Sequence, residues 1–181
     1  DALADGDRIY AVIKSTAVNQ DGGTDSITAP NPDAQKAMLQ EAAAKAGIAA
    51  DDVAYVEAHG TGTPLGDPIE AGAIGEVFGQ ARANGPLRIG SVKCNIGQLA
   101  PAAGIAGLIK TALVLQRGQI PPSINFRTPN ERIPFDALNI EVATSATALD
   151  GGNAHALVNS FGFGGTNACA LLARHAPPAP R

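Results

Sequence analysis

Cysteine is scarce in this chain. The two that occur, Cys94 and Cys169, are too few and too far apart in sequence for a disulfide framework or a metal cluster, so reduced thiols are expected. Three histidines, His59, His155 and His175, show neither HxxxH nor HExxH spacing; zinc chemistry has no support and no metal ligand is assigned. GxSxG, a Walker loop and a strict GxGxxG are also missing, which removes the common hydrolase, nucleotide and dinucleotide readings. No apolar run reaches the ~18 residues that cross a bilayer, and the opening DALADGDR lacks the basic and apolar regions of a signal peptide. A cytoplasmic protein without a membrane partner is the expectation. Charged residues make up 17% of the chain, with a net charge of −4 and no cluster of Lys and Arg to track phosphates, so nucleic acid is not an expected partner.

What the chain has is a core and many turns. Of its 181 residues 45% are hydrophobic, enough for about one domain, and 21 glycines with 13 prolines point to a compact, loop-rich fold. Arg8 to Val18 reads as a strand, followed by a long polar loop from Asn19 to Pro32. The run from Asp33 to Ala46 predicts a helix, with an acidic residue at its start and Gly47 as its stop. Val53 to Glu57 predicts a strand that enters the loop AHGTGTPLGDP; Pro68 then suits the first turn of a helix carrying Ile69 to Phe78. The same order recurs as a strand from Leu87 to Val92, the loop KCNIGQLAPAAG and an apolar helix from Ile105 to Leu115. A proline-rich stretch after Gly118 reads as a segment laid over the surface, and His155 to Phe163 with Thr166 to Leu172 reads as a hairpin turned by Gly164 and Gly165. One domain over residues 1–173 and a Pro/Ala-rich linker starting at 174–181 complete this division; no repeat is evident.

Three loops hold polar, titratable residues among glycines at strand ends, where α/β proteins place their chemistry. They are AHGTGTPLGDP around His59, SVKCNIGQ around Lys93 and NSFGFGGTN around Phe163. These stretches carry a resemblance. VEAHGTGTPLGDPIEA (Val56 to Ala71), IGSVKCNIGQLAPAAGIAGLIK (Ile89 to Lys110), GQIPPSINFRTPN and NSFGFGGTNA (Asn159 to Ala168) resemble, in order and spacing, the C-terminal half of a β-ketoacyl synthase. AVNQDG (Ala17 to Gly22) is similar to the modular polyketide branch of that family.

The resemblance implies an α/β, thiolase-like layered αβαβα fold, of which this chain is one half, with a mixed sheet and helices on both faces. It implies an N-terminal half bearing the nucleophilic cysteine, a ketosynthase homodimer, and an acyl carrier protein whose phosphopantetheine delivers the substrate, with no bound cofactor. His59 corresponds to the first catalytic histidine, Lys93 to a buried lysine paired with Glu70, and Thr61 and Thr63 to hydroxyls that bind the pantetheine arm. Phe163 matches a gating phenylalanine; Phe161 and Asn95 join the expected substrate contacts. Cys94 and Cys169 are expected to be buried small hydrophobes, and His155 and His175 to be structural or solvated.

One position departs from the pattern. Where the family motif reads asparagine, isoleucine, glycine, histidine, this chain has Asn95, Ile96, Gly97 and Gln98. An amide donates a hydrogen bond but exchanges no proton near neutral pH. The expected activity is therefore a non-elongating acyltransferase, which passes acyl chains between carrier proteins without decarboxylative condensation. An elongating synthase that tolerates Gln98, natural or engineered, and an inactive structural partner resembling a chain-length factor stand as alternatives.

Overall fold

A computed structural model describes residues 1–26, 28–149 and 154–175. Its spine is a six-stranded mixed sheet in the order β1-β8-β7-β2-β3-β5. The strands are β1 (Val12–Gln20), β2 (Val53–Glu57), β3 (Leu87–Gly90), β5 (Ile140–Val142), β7 (His155–Phe161) and β8 (Thr166–Ala173); β4 (Gln119–Ile120) and β6 (Thr147–Ala148) form a separate antiparallel ribbon. β1, β8 and β7 run antiparallel, whereas β7, β2, β3 and β5 are parallel. The helices are α1 (Ala2–Asp5), α2 (Pro32–Ala46), α3 (Gly66–Ile74), α4 (Lys93–Ile96), α5 (Ala103–Arg117) and α6 (Phe135–Leu138).

Local chemistry accounts for the main helices. Asn31 accepts hydrogen bonds from the amides of Asp33 and Ala34, Pro32 takes the first turn, and Gly47 closes α2 in the left-handed region at φ 65°. The polar loop before it is thus shorter than expected, because Asn19 and Gln20 still pair with β8 and Asn31 is already the cap. α2 buries Gln35, Met38, Leu39 and Ala42, one stripe at helical spacing, and with α3 covers one face of the sheet. α5 covers the other face, where Val114 and Leu115 join Tyr55, Ala156, Val158 and Leu172. The expected mixed sheet with helices on both faces is what the chain forms.

Several boundaries shift. β1 starts at Val12, not Arg8; its ladder with β8 runs from Val12 opposite Ala173 to Gln20 opposite Thr166. α3 begins at Gly66 and widens into a π turn over Gly75–Gly79. β3 stops at Gly90, two residues early, because the Val92 amide turns away to a carboxylate of β2 and α4 starts at once. α5 extends one turn or less beyond both expected ends. β7 ends at Phe161 and not Phe163, since Gly162 N–H already closes the turn on the Thr166 carbonyl. Of the expected linker, only Arg174 and His175 lie among the described residues. No described helix is long and apolar enough to cross a membrane.

Candidate active site

Because β2, β3 and β7 are parallel, the three polar loops emerge at one edge of the sheet: His59 after β2, Lys93 after β3, and Phe163 after β7. The first loop is clamped from below by Glu70 on α3. This carboxylate, 4% exposed, accepts from the backbone amides of His59 (2.7 Å) and Gly60 (2.9 Å) and from Asn159 Nδ2 (3.0 Å). Burial raises its pKa, and those three donors oppose the rise. Gly60, at φ 49°, is obligatory here: a Cβ would lie 2.8 Å from Ser91 Cβ, so only glycine lets the two loops touch.

The imidazole of His59 is fixed by its neighbours. Nδ1 accepts from the Phe161 amide at 3.2 Å, which assigns the ring proton to Nε2, and the two rings lie 5.2 Å apart, tilted by 43°. Burial, then the charge of Lys93, depress its pKa to about 4. At neutral pH it is an uncharged ring with one N–H to offer.

His59, Thr61, Thr63, Glu70, Phe161 and Phe163 line one cavity of about 160 Å³. Thr61, Glu70, Lys93 and Gln98 line an adjoining cleft of about 590 Å³. Eight of the nine expected site residues are therefore brought to one place, and Asn95, exposed on α4, lines neither space. Phe163, 83% exposed, stands on the hairpin turn at the cavity rim and takes no part in the core. Thr63 Oγ1 accepts from the Gly66 amide at 3.0 Å and so satisfies the first amide of α3 from outside the helix, whose N-cap residue is Leu65, a task the motif does not reveal.

Two expectations about charge and thiols change. Lys93 is half-buried and reaches no carboxylate within ion-pair distance among the described residues; Glu70, which already accepts from three N–H donors, acts on it through space. Desolvation lowers the Lys93 pKa, against the pull of Glu70, Glu57 and Asp67. Cys94 is half-buried rather than buried, because it opens onto the larger cleft while its Sγ contacts the Ser91 carbonyl at 2.9 Å. Cys169 is buried on β8 as expected, and burial pushes its thiol up to about 11, far from a nucleophile's range. His155 opens β7 opposite Ala173, with no described partner for its buried Nδ1.

Residues 10–127 match the family described as beta-ketoacyl synthase, C-terminal domain, and residues 129–181 match a ketoacyl-synthetase C-terminal extension. The chain belongs to the β-ketoacyl synthase family. It is 52% identical, over 99% of its length, to a phenolphthiocerol/phthiocerol polyketide synthase chain of Mycobacterium tuberculosis, and 50% identical, over 95%, to a highly reducing polyketide synthase of Aspergillus terreus. It spans only 10% and 7% of those proteins. Among solved structures, the ketosynthase from module 6 of the bacillaene synthase of Bacillus subtilis 168 superposes with a TM-score of 0.92 at 40% identity, covering 98% of this chain and 32% of that one. An oxazolomycin ketosynthase domain of Streptomyces albus gives 0.90 at 44% identity, over 99% of this chain and 48% of that one. The thiolase-like ketosynthase fold and a place in the C-terminal part of a ketosynthase follow.

Proposed function

We propose that this chain completes a polyketide synthase ketosynthase that moves acyl groups between carrier-bound thiols without extending them. The observation that carries the reading is the asymmetry of its proton chemistry: a neutral, oriented His59 at the cavity and Gln98 in place of a second imidazole. An N-terminal half would supply the cysteine. The exposed apolar side of α5, with Ile105 at 54% and Ile109 at 55%, supports such a covering body.

In the first half-reaction that cysteine, as thiolate, attacks the acyl thioester carbonyl; the bond to pantetheine sulfur breaks and the pantetheine thiolate leaves. Charge develops on the carbonyl oxygen, toward which the His59 Nε2–H donates. The second half-reaction runs the same bonds in reverse onto the next carrier. Condensation asks for more, because decarboxylation of a malonyl unit builds an enolate that two histidines stabilise in the family, and one such donor is commonly worth ~10²–10³ in rate.

The test is to supply the intact ketosynthase with an acyl thioester and a malonyl carrier and to follow acyl loading, acyl transfer and carbon dioxide release separately. Loading and transfer with almost no carbon dioxide or β-ketoacyl product is expected, with Gln98→His restoring part of the condensation. Condensation equal to that of Gln98→His would favour the elongating reading, and no loading at all the structural-partner reading.

A further inference from the structure

A second buried carboxylate stands beside the site, outside the residues that line its two cavities. Glu57, the last residue of β2, is 1% exposed. Its Oε2 accepts from the Tyr55 hydroxyl at 2.6 Å and from Lys110 Nζ at 2.7 Å, and Lys110 Nζ also donates to the Tyr55 oxygen at 2.9 Å. Burial first, and then the charge of Glu57, raise the Tyr55 pKa well above the usual value, so the hydroxyl remains a donor. The other carboxylate oxygen of Glu57, Oε1, accepts from the Val92 amide. α5 comes close enough for this because residue 107 is glycine: a Cβ there would lie 3.0 Å from Val158 Cγ2 and 3.3 Å from Glu57 Cγ. Lys110, one turn on, then reaches across from the same side of the helix.

Burying a carboxylate and an ammonium together is rarely the most stable choice; apolar residues of equal volume commonly do as well or better. The use of the pair lies in its third contact. Val92 is where the chain leaves β3 and starts α4, and Lys93 is the next residue. We propose that Glu57, held by Tyr55 and Lys110, is a positioning residue: it fixes the Ser91–Val92 turn and through it the place of Lys93 beside His59. This inference rests on the acyl-transfer reading. It assigns the Lys93 loop a carboxylate anchor, as Glu70 anchors the His59 loop.

Two double substitutions in the intact ketosynthase separate position from mere packing. In Glu57→Gln/Lys110→Met the charges go, yet the amide oxygen still accepts from Val92; in Glu57→Leu/Lys110→Met the acceptor is lost as well. The Leu variant should lower kcat for acyl transfer by about a hundredfold, a loss of the size that a small misplacement of a catalytic group brings, with KM for the carrier substrate unchanged. The Gln variant should return most of kcat. Amide exchange at Val92, measured alongside, should be fast in the Leu variant and slow in the Gln variant. Equal kcat in the two variants, or equal Val92 exchange, overturns the proposal. If the Leu variant does not fold, amide exchange in the unsubstituted enzyme carries the test: the Val92 amide, held by Glu57 Oε1, should exchange as slowly as the His59 and Gly60 amides held by Glu70, and exchange as fast as that of an unprotected turn amide overturns the anchor. An unsubstituted enzyme without acyl transfer would refute the functional reading alone, since Val92 exchange still decides whether Glu57 holds the turn.

Discussion

Glu70 and Glu57 are both buried, both lie near the carboxyl edge of the parallel strands, and each holds one loop of the site, but they are neutralised in different ways. Glu70 sits among N–H dipoles: two backbone amides and one asparagine, with no cation in contact among the described residues. Glu57 has an ammonium at 2.7 Å and a phenol at 2.6 Å. Dipoles from the loop itself tie a carboxylate to the conformation of that loop, so the His59 strand end and Glu70 form one rigid unit. A lysine from a separate helix ties the carboxylate to packing between α5 and the sheet. The first anchor therefore depends on local backbone geometry, the second on tertiary contact.

The largest effect should come from breaking the first anchor. Glu70→Ala strands the amides of His59 and Gly60 and Asn159 Nδ2 without their acceptor, and a buried donor left unpaired costs about 1–3 kcal/mol. Allowing for water entering the gap, the loss of folding stability should be on the order of 3 kcal/mol, visible in chemical denaturation of the intact ketosynthase. Acyl transfer should fall with it, because the Nδ1 contact to Phe161 depends on the same loop. A variant as stable as the parent would mean that the three donors find other partners.

How much of this was legible in the sequence depends on whether a residue's task is local. α2, with its proline, glycine stop and periodic apolar stripe, could be read almost to its ends, as could β2. So could the gathering of His59, Thr61, Lys93 and Phe163 near one edge, because three loops follow three strands. The short strands β5 and β6 and helix α6 went unread: two to four residues carry too little periodicity to stand out from a proline-rich stretch. The anchors were misread or missed because they are long-range. Glu70 was expected to pair with Lys93, but three N–H groups from the β2 loop and from β7 reach it first. Tyr55, Glu57 and Lys110 lie 2 and 53 residues apart along the chain, and Asn159 is 89 residues from Glu70. A charged residue in the middle of an apolar helix, as Lys110 is, was the one available signal.

A smaller effect separates the two loops by acid. His59 has an ordinary value of 6.5 that the folded loop lowers to about 4, so the unfolded chain takes up the proton first. The stability tied to keeping this ring neutral is fully present above about pH 6.5 and is lost as the pH falls toward 4. Replacing the ring by a non-titrating amide, His59→Asn, should flatten the decline in stability over that window while abolishing the ring's part in acyl transfer. Denaturation midpoints at several pH values between about 4 and about 6.5 check this. Equal slopes for the two proteins would mean that the ring is solvated and its pKa near the usual value.

The smallest effect is also the finest test of the loop, since it divides two residues that look alike in the motif. Thr63 spends its hydroxyl on the Gly66 amide at the start of α3, whereas Thr61, exposed at the junction of the two cavities, makes no hydrogen bond to the described residues. If both hydroxyls served only the pantetheine arm, their removal would act alike. Thr63→Ala removes the acceptor of the first α3 amide and should lower folding stability by about 0.5–1.5 kcal/mol, the net worth of one neutral hydrogen bond. Thr61→Ala should leave the unfolding midpoint where it is and raise KM for the carrier-bound substrate, by the equivalent of about 0.5–1.5 kcal/mol for one neutral hydrogen bond. Thermal unfolding and acyl-transfer kinetics on the same two samples give both readouts. A Thr61→Ala variant with unchanged KM would exclude the hydroxyl from the substrate path and leave Phe163 as the residue to test at the cavity rim.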